Sequence, residues 1–321
     1  MKSPTVILHC DNPDAARDIL QQQHPDLSPH LCRNYEELSR LIETTDAEVV
    51  YSVRTHGTPT YPGQLIRDSA TVKWVSVGGS GTDHLNPWDP GQLTITNAAG
   101  VAADMMAQYA LGSMLHFSLN FPLFQQAQKR QEWLAGEVEP IDGKTVLIIG
   151  MGKTGEAVAR RCKAMDMQTL GVRARPAPVP HVDEVHGIET LPELWKRADF
   201  IVVCVPLLDS TRNLVDSVAF EAMKDTAVII DVSRGGVIEE NALLKALDTN
   251  RIRGAALDVF ATEPLPESHR LWRCENVIIT PHCSSVYRGW DLKSVAMFSD
   301  NLLRYRKGEA LSNIVNPSRG Y

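Results

Sequence analysis

The chain has 321 residues, 43% of them hydrophobic, which is longer than one compact domain usually is. Its formal net charge of −7 and its pI near 5.8 provide no overall positive field for a phosphate backbone or an anionic membrane surface. These values predict two domains and exclude nucleic acid and the membrane as partners.

Four short β-branched runs occupy the first hundred residues. They are TVILHC, AEVVYSVR, VKWVSVGG and LTITNAAG, with the helical pattern YEELSRLIE between the first two. Strands that alternate with helices predict a parallel sheet covered on both faces. The apolar run in MKSPTVILHCDNPD is too short for the core of a signal peptide.

From Val101 to about Gln131 the pattern is helical, and it contains the best candidate for a membrane segment, residues 107–124. Three polar side chains interrupt that stretch, and Pro122 would break it. We therefore expect a buried helix there and no membrane span.

A second alternating series follows Ile141. Its near-continuous apolar runs are TVLIIG, MQTLGV, FIVVCVP, AVIIDVS, GAALDVF and NVIITPH, separated by segments of helical length. This pattern predicts six buried parallel strands in a doubly wound sheet. After His282 the chain reads as one long helix, GWDLKSVAMFSDNLLRYRKGE.

The first of these runs ends in a glycine-rich loop. Gly150, Gly152 and Gly155 follow the strand and precede the helical stretch EAVARRCKAM, which is the context that a dinucleotide-binding loop requires. The first glycine permits the turn, the second lets a pyrophosphate approach the backbone, and the third lets helix and strand pack closely. The alternative is a purely structural tight turn.

The loop and the two alternating series together predict the domain organisation. We expect residues 1–100 plus 285–321 to form a discontinuous substrate-binding domain and residues 101–284 to form a dinucleotide-binding Rossmann domain. The fold class is therefore α/β, with two doubly wound parallel-sheet domains, Rossmann-like and flavodoxin-like, and a cleft between them.

The segment after the second strand of this domain bears on the choice of cofactor. An Asp or Glu about 20 residues beyond the glycine loop usually binds the adenine ribose, but this chain has Arg173 and Arg175 there. Two guanidinium groups suit a 2′-phosphate, since their forked donors pair bidentately with phosphate oxygens. The pattern favours NADP over NAD; the alternative is a pair of solvated surface arginines.

Six cysteines lie far apart, without the short paired spacings of a zinc site or a disulfide framework. We therefore expect reduced thiols, a cytoplasmic protein and no bound metal.

Polar residues collect where the strands of the second series end. Arg234 follows AVIIDV, Asp258 follows GAAL, His282 follows NVIIT, and Glu263 lies nearby in ATEPLP. Because the carboxyl ends of parallel strands meet at one edge, we expect these side chains to lie near the glycine loop.

The three residue types suit the reduction of a 2-keto acid. Arg234 can anchor the carboxylate and polarise the carbonyl, and His282 can act as general acid in reduction and general base in oxidation. Glu263 beside the histidine would stabilise its imidazolium form. Taken singly, each has a structural alternative: a surface arginine, a core histidine and a helix-capping glutamate.

The same positions carry a family resemblance. The segments DVSRGGVIEENAL, GAALDVFATEPLPESHRLW and NVIITPHCSS resemble the signature regions of the D-isomer-specific 2-hydroxyacid dehydrogenases, and VSVGGSGTDHL resembles that family's substrate loop. The resemblance implies that Arg234, Glu263 and His282 form a catalytic triad. It also implies a homodimer joined through the helix AADMMAQYALGSMLHFSL.

Further site residues follow from this resemblance. It implies that the amides of Gly79, Ser80 and Gly81 bind the substrate carboxylate. It also implies a set of cofactor contacts beyond the glycines and arginines. The predicted set comprises Lys153, Thr154, Val205, Pro206, Thr211, Val232 and Asp258.

The chain departs from the family pattern in several places. Lys153 and Thr154 replace the usual arginine and isoleucine of the glycine loop, although a pyrophosphate contact by the lysine is retained as a prediction. Gln108 stands where a glutamate is common. Ser52, Arg54, Thr55 and His56 in YSVRTHG are candidates to line the substrate cleft. Arg54 is a candidate ligand for a second carboxylate or a hydroxyl; the equal alternative is a residue that simply ends a strand.

These observations predict an NADPH-dependent reductase of small 2-keto acids of the glyoxylate and hydroxypyruvate class, with D-stereospecificity implied by the resemblance. Domain closure about hinges near Ala99 and Ser285 would exclude water. One alternative is a cofactor-sensing binding protein related to corepressors. A formate dehydrogenase is disfavoured, because similar enzymes carry glutamine where this chain has Glu263.

Overall fold

The computed structural model describes residues 3–53, 61–317 and 319. The chain divides into two compact units, residues 1–101 with 288–321 and residues 102–287. The crossings therefore follow Val101 and Tyr287. The predicted crossings lay after residues 100 and 284.

The first unit contains a five-stranded parallel sheet in the order β2-β1-β3-β4-β5, the order of flavodoxin-like folds. Its elements before residue 102 are β1 (Val6–His9), α1 (Pro13–Gln23), β2 (His30–Cys32), α2 (Tyr35–Thr44), β3 (Val49–Ser52), α3 (Gly63–Asp68), β4 (Trp74–Val77) and β5 (Thr94–Asn97). The expected parallel sheet is confirmed, but α1, α3 and the edge strand β2 were not predicted from the sequence.

The omissions of β2 and α1 have local reasons. Strand β2 has only three residues and buries one of them fully, so it lacks the apolar run of a central strand. Helix α1 is rich in polar residues, yet its start is marked: the Asn12 side chain accepts a hydrogen bond from the amide of Ala15, and Pro13 follows the cap.

The second unit contains a seven-stranded parallel sheet in the order β12-β11-β10-β9-β6-β7-β8. Its elements are α4 (Ala103–Ser118), α5 (Phe121–Lys129), β6 (Thr145–Ile149), α6 (Lys153–Lys163), β7 (Gln168–Val172), β8 (Glu184–His186), α7 (Leu191–Leu194), β9 (Phe200–Val203), α8 (Ser217–Ala222), β10 (Val228–Asp231), α9 (Glu240–Asp248), β11 (Gly254–Leu257) and β12 (Val277–Ile279). The order is that of a Rossmann sheet with one added strand.

The six predicted strands of this unit are all present, which confirms the doubly wound sheet. The predicted number was nevertheless wrong by one, because β8 was missed. That strand, Glu184–His186, is half-buried along its whole length at the sheet edge and has no apolar run. By contrast β6, Thr145–Ile149, is buried at every position, as expected of a strand covered on both faces.

The helical stretch after Val101 is two helices, so the single buried helix predicted over residues 107–124 was wrong in extent. Asn120 has a left-handed backbone (φ 54°) and separates α4 from α5. Pro122 lies in the first turn of α5, where its missing amide hydrogen breaks no helical bond. Across the described residues, the helices are too short or too polar to cross a membrane.

The chain returns to the first unit with α10 (Trp290–Lys307), which packs against α1. The buried guanidinium of Arg306 donates to Nδ1 of His24 (3.1 Å) and binds the carboxylate of Asp26. The His24 ring in turn lies 3.0 Å from the carbonyl oxygen of Ser299 on α10. These contacts join the C-terminal helix to the end of α1 and the residues after it.

Candidate functional site

The predicted cofactor and catalytic residues of the second unit collect along one edge of its sheet. The strand order reverses between β6 and β9, and ligands of doubly wound sheets bind beyond the carboxyl ends at such a point. Read along that edge, the loops carry His282 after β12, Asp258 and Glu263 after β11, Arg234 after β10, Val205 and Pro206 after β9, Gly150 to Gly155 after β6, and Arg173 and Arg175 after β7.

The three glycines of the loop after β6 have different structural roles. Gly150 has φ +105°, and a β-carbon there would lie 2.7 Å from the carbonyl oxygen of Cys204. A β-carbon on Gly155 would lie 2.1 Å from the carbonyl oxygen of Gly150. A β-carbon on Gly152 would meet no atom within 4 Å. Two glycines are thus required by the fold, whereas Gly152 borders open space.

The start of α6 completes a cradle for a pyrophosphate. The helix begins at Lys153, and no side chain caps its N-terminus at Gly152. Uncapped amides at a helix N-terminus attract a negative charge. The Lys153 side chain is exposed, and the Thr154 hydroxyl lies 3.6 Å from the sulfur of Met106. The residues present therefore fit a dinucleotide.

Arg173 and Arg175 follow the carboxyl end of β7. Arg173 is half-buried and its amide donates to the carbonyl oxygen of His186 (3.1 Å), whereas Arg175 is exposed. Within residues 3–53 and 61–317, neither guanidinium group pairs with a carboxylate. Both guanidinium groups are therefore candidates to bind a phosphate group.

The other predicted cofactor contacts have differing environments. Val205 and Pro206 are half-buried on the loop after β9, whereas Val232 is buried in the core. The Thr211 hydroxyl donates to the carbonyl oxygen of Pro206 (2.6 Å) and accepts from the amide of Leu208 (2.8 Å), so it braces its own loop. Cofactor contacts by these residues stay predictions.

The loops that carry the predicted triad adjoin one another. A β-carbon on Gly235, next to Arg234, would overlap the carbonyl oxygen of Phe260 at 1.9 Å, so the two backbones are in direct contact. The amide of Phe260 donates to Oε1 of Glu263 (3.0 Å). Oε2 of Glu263 lies 2.8 Å from Nδ1 of His282. The glutamate therefore orients the imidazole and does not cap a helix.

The pair is shielded but accessible. The side chain of His282 is 14% exposed and that of Glu263 is 24% exposed. Arg234 is half-buried, and its Nη1 donates to the carbonyl oxygen of Ser233 (2.8 Å). Three groups suited to acid–base chemistry and carboxylate binding thus lie on neighbouring loops of one sheet edge.

Asp258 is more buried than its predicted role suggested. Its side chain is 1% exposed, and both carboxylate oxygens accept hydrogen bonds from the loop after β12. Its predicted position beside a nicotinamide stays a prediction. In the structure, the Asp258 carboxylate contacts the segment that contains His282.

A second buried carboxyl group, Asp231, was not predicted from the sequence. It ends β10, is 3% exposed and accepts hydrogen bonds from the amide and hydroxyl of Ser233. Burial raises the pKa of Asp231 to about 7, with a smaller contribution from the nearby charge of Asp258. The signal for it was an acidic residue at the end of an otherwise apolar strand.

In the first unit, the predicted carboxylate-binding loop follows β4. The carbonyl oxygen of Gly79 accepts from the amide of Ala98 (2.9 Å), and that of Ser80 accepts from the side chain of Asn97 (2.7 Å). Within the described residues, the amides of Gly79, Ser80 and Gly81 have no backbone acceptor. The loop is therefore anchored through its carbonyls, with its donors available.

Other candidates of the first unit are placed only in part. Ser52 ends β3, is 1% exposed, and its hydroxyl lies 2.9 Å from Nδ1 of His9. Burial lowers the pKa of His9 to about 4, so this imidazole is neutral near pH 7. Arg54, with Thr55 and His56, lies outside the described residues.

The fold and the site together define a dehydrogenase of the dinucleotide-binding type. Comparison with known proteins gives the family. Residues 111–284 match the family model described as D-isomer specific 2-hydroxyacid dehydrogenase, NAD binding domain. The chain belongs to the D-isomer specific 2-hydroxyacid dehydrogenase family.

Individual relatives agree with this assignment. The chain is 32% identical to a D-3-phosphoglycerate dehydrogenase of Methanocaldococcus jannaschii over 88% of its length, and it spans 53% of that longer protein. It is 32% identical to a glyoxylate reductase of Pyrococcus horikoshii, with 70% of each chain covered. A D-isomer specific 2-hydroxyacid dehydrogenase of Xanthobacter autotrophicus Py2, solved in complex with NADPH and MES, is 26% identical with a TM-score of 0.84, and both chains are fully covered.

Proposed function

We propose that this protein is an NADP(H)-dependent reductase that converts small 2-keto acids of the glyoxylate and hydroxypyruvate class into D-2-hydroxy acids. The observation that carries the proposal is the pairing of His282 with Glu263 at 2.8 Å. Glu263 lies on the loop after β11, next to the loop of Arg234, and His282 lies on the loop after β12, all at the sheet edge that also holds the glycine loop. The similarity to a glyoxylate reductase supports this substrate class.

The chain's own residues have separate tasks in this reaction. When bound, the reduced nicotinamide supplies a hydride to the keto carbon and is itself oxidised. Arg234 binds the substrate carboxylate and polarises the keto group, with the amides of Gly79 to Gly81 as further carboxylate donors. His282 transfers a proton from Nε2 to the keto oxygen, and the product is the 2-hydroxy acid.

Glu263 acts through the histidine. Its bond to Nδ1 sets the orientation of the ring, and its negative charge stabilises the imidazolium form that donates the proton. The second oxygen of Glu263 is held by the amide of Phe260, so the carboxylate itself is oriented by the backbone. Closure of the two units over the substrate, predicted from the sequence, remains part of the proposal.

The preference for NADP is supported by the loop after β7. Arg173 and Arg175 occupy the segment in which NAD-specific proteins place a ribose-binding carboxylate, and two cations there would bind a 2′-phosphate. The solved relative from Xanthobacter autotrophicus Py2 holds NADPH.

We also propose a homodimer. The segment after α4 exposes large apolar side chains, among them Trp133, 99% exposed, and Phe121, 46% exposed. Large aromatic side chains are enriched at contacts between protein chains. Light scattering after gel filtration measures the oligomeric state, and a monomer at micromolar concentration would contradict the proposed dimer.

The cytoplasmic location stays a prediction from the cysteine pattern.

A steady-state panel tests the function. Small 2-keto acids that differ in chain length and charge are assayed with NADPH and with NADH, and chiral chromatography identifies the product. We expect the fastest turnover with glyoxylate or hydroxypyruvate and NADPH, and the D-isomer wherever the product is chiral. Tight coenzyme binding without turnover of any keto acid would indicate a binding protein on the same fold, and NAD reduction by formate would indicate a formate dehydrogenase.

A further inference from the structure

We propose that Tyr109, Thr280 and Asp258 form a hydrogen-bonded chain that positions His282 for proton transfer. The inference rests on the proposed function and deepens it, because it assigns three positioning residues to the same site. None of the three has to touch the substrate for this role.

The hydrogen-bonded chain is centred on the buried carboxylate of Asp258. Its Oδ1 accepts from the hydroxyl of Thr280 (2.6 Å) and from the amide of Cys283 (2.9 Å). Its Oδ2 accepts from the amide of Ser284 (3.0 Å). One side chain directly after β11 therefore holds the loop after β12 at points before and after the histidine. A buried carboxylate with these donors is a strong anchor, since hydrogen bonds to a charged group exceed neutral ones.

His282 needs such an anchor because of its backbone conformation. It has φ +52°, in the left-handed region that non-glycine residues adopt at a cost of about 1 kcal/mol or more. Its amide donates to the carbonyl oxygen of Thr280 (3.0 Å), which makes the turn tight. Such a conformation persists only when the surrounding contacts determine it, and Asp258 fixes the residues on both sides.

Tyr109 extends the chain to α4. Its hydroxyl lies 2.9 Å from Oγ1 of Thr280. Because the Thr280 proton is donated to Asp258, Oγ1 must act as the acceptor in the contact with Tyr109, so the tyrosine is the donor. Burial raises the pKa of Tyr109 to about 12, and the hydroxyl keeps its proton throughout the working pH range. The direction of both side-chain bonds is thus set.

The hydrogen-bonded chain of Tyr109, Thr280 and Asp258 does not include the contact between the His282 ring and Glu263. Glu263 orients the imidazole through Nδ1, whereas the Asp258 chain orients the backbone from which the imidazole projects. Loss of the chain should let His282 relax toward a common backbone conformation and move the ring. A displacement of about 1 Å at a catalytic group lowers turnover by up to roughly 100-fold.

The test uses variants that remove one hydroxyl at a time. Thr280→Val removes the central donor at nearly constant shape, Thr280→Ser restores it, and Tyr109→Phe removes only the terminal donor. We expect kcat for keto-acid reduction to fall roughly 10- to 100-fold in Thr280→Val, less in Tyr109→Phe, and to recover in Thr280→Ser. The Kd for NADPH, measured by fluorescence titration, should stay within about twofold of wild type.

Two further readouts separate positioning from general damage. In the background of His282→Gln, Thr280→Val should cause no additional loss of kcat, because residues that act through the same group are not additive. In the coenzyme-free protein, hydrogen exchange of the peptide spanning residues 278–287 should accelerate in Thr280→Val and not in Thr280→Ser.

The outcomes distinguish the two proposals. Wild-type exchange of that peptide in Thr280→Val, or an equal loss of kcat with and without His282, would overturn the positioning role. A wild-type protein that reduces no keto acid, combined with faster exchange in Thr280→Val, would overturn the proposed function and leave the loop anchor intact. If Thr280→Val does not fold, Tyr109→Phe carries the same comparison.

Discussion

Nδ1 of His282 lies 2.8 Å from Oε2 of Glu263, although the two residues come from loops after different strands. The bond places Nδ1 against the carboxylate, and in the proposed mechanism Nε2 faces the substrate. A second histidine–carboxylate pair, His186 with Glu184 at 3.0 Å, lies on the edge strand β8 of the same sheet. Substitutions in the two pairs can therefore be compared, one pair being proposed as catalytic and the other lying at the opposite end of the sheet.

His282→Gln should lower the reduction of keto acids by roughly 100-fold or more, because glutamine cannot act as the general acid. NADPH binding should stay nearly intact, since the glycine loop is untouched. Steady-state kinetics and fluorescence titration measure the two effects. His186→Gln is the control and should retain wild-type turnover; equal turnover by both variants would remove His282 from the mechanism.

Replacing Arg173 and Arg175 together by serine should weaken NADPH binding roughly 10- to 100-fold and change NADH binding little, because only NADPH carries the 2′-phosphate. Titration of each coenzyme gives the two dissociation constants. Arg40→Ser, at an exposed position on α2, controls for the loss of surface charge. Equal losses for both coenzymes would mean that the pair does not bind the phosphate.

Gly152→Ala and Gly155→Ala should impair different properties, coenzyme affinity in the first and stability in the second. The methyl group at 152 meets no atom within 4 Å, so stability should be unchanged while coenzyme affinity falls. At 155 the methyl group would lie 2.1 Å from a backbone oxygen, so we expect a loss of roughly 2 kcal/mol or more of unfolding free energy. Thermal melts and coenzyme titrations measure both. A stable Gly155→Ala protein, or unimpaired binding by Gly152→Ala, would contradict the assignment.

Asp231 should make stability depend on pH. Burial raises its pKa from the usual value of 3.8 to about 7, so between these values the folded state holds a proton that the unfolded state releases. Its stabilising contribution is therefore complete below the lower value and is lost as the pH rises through about 7. Asp231→Asn keeps an oxygen acceptor for Ser233 and removes the titration.

When the pH is raised from about 5 to about 8, we expect the free energy of unfolding of the Asp231→Asn variant to rise by about 1 kcal/mol or more relative to that of the wild type. Urea unfolding at several pH values gives this difference, and exchange of the β10 peptide assigns it to the second unit. Parallel curves for the two proteins over that range would show that Asp231 does not titrate there.

Much of the fold and the class of site could be predicted from local patterns. Central strands such as β6 are covered on both faces, so each must be an apolar run, and the run is visible in the sequence. The glycine loop is visible for a similar reason, because Gly150 and Gly155 have no room for a side chain. Arg234, Glu263 and His282 were found because parallel strands present their carboxyl ends at one edge.

Only the tertiary structure decided how these groups are held. Edge strands β2 and β8 lack apolar runs because they are short and partly solvent-facing. The left-handed backbone of His282 and the burial of Asp231 and Asp258 depend on neighbouring loops. Tyr109 and Thr280 are separated by 171 positions in the chain, and no local spacing connects them. Side-chain pattern reflects burial along one element, whereas hydrogen bonds between distant elements form only when the sheet brings them together.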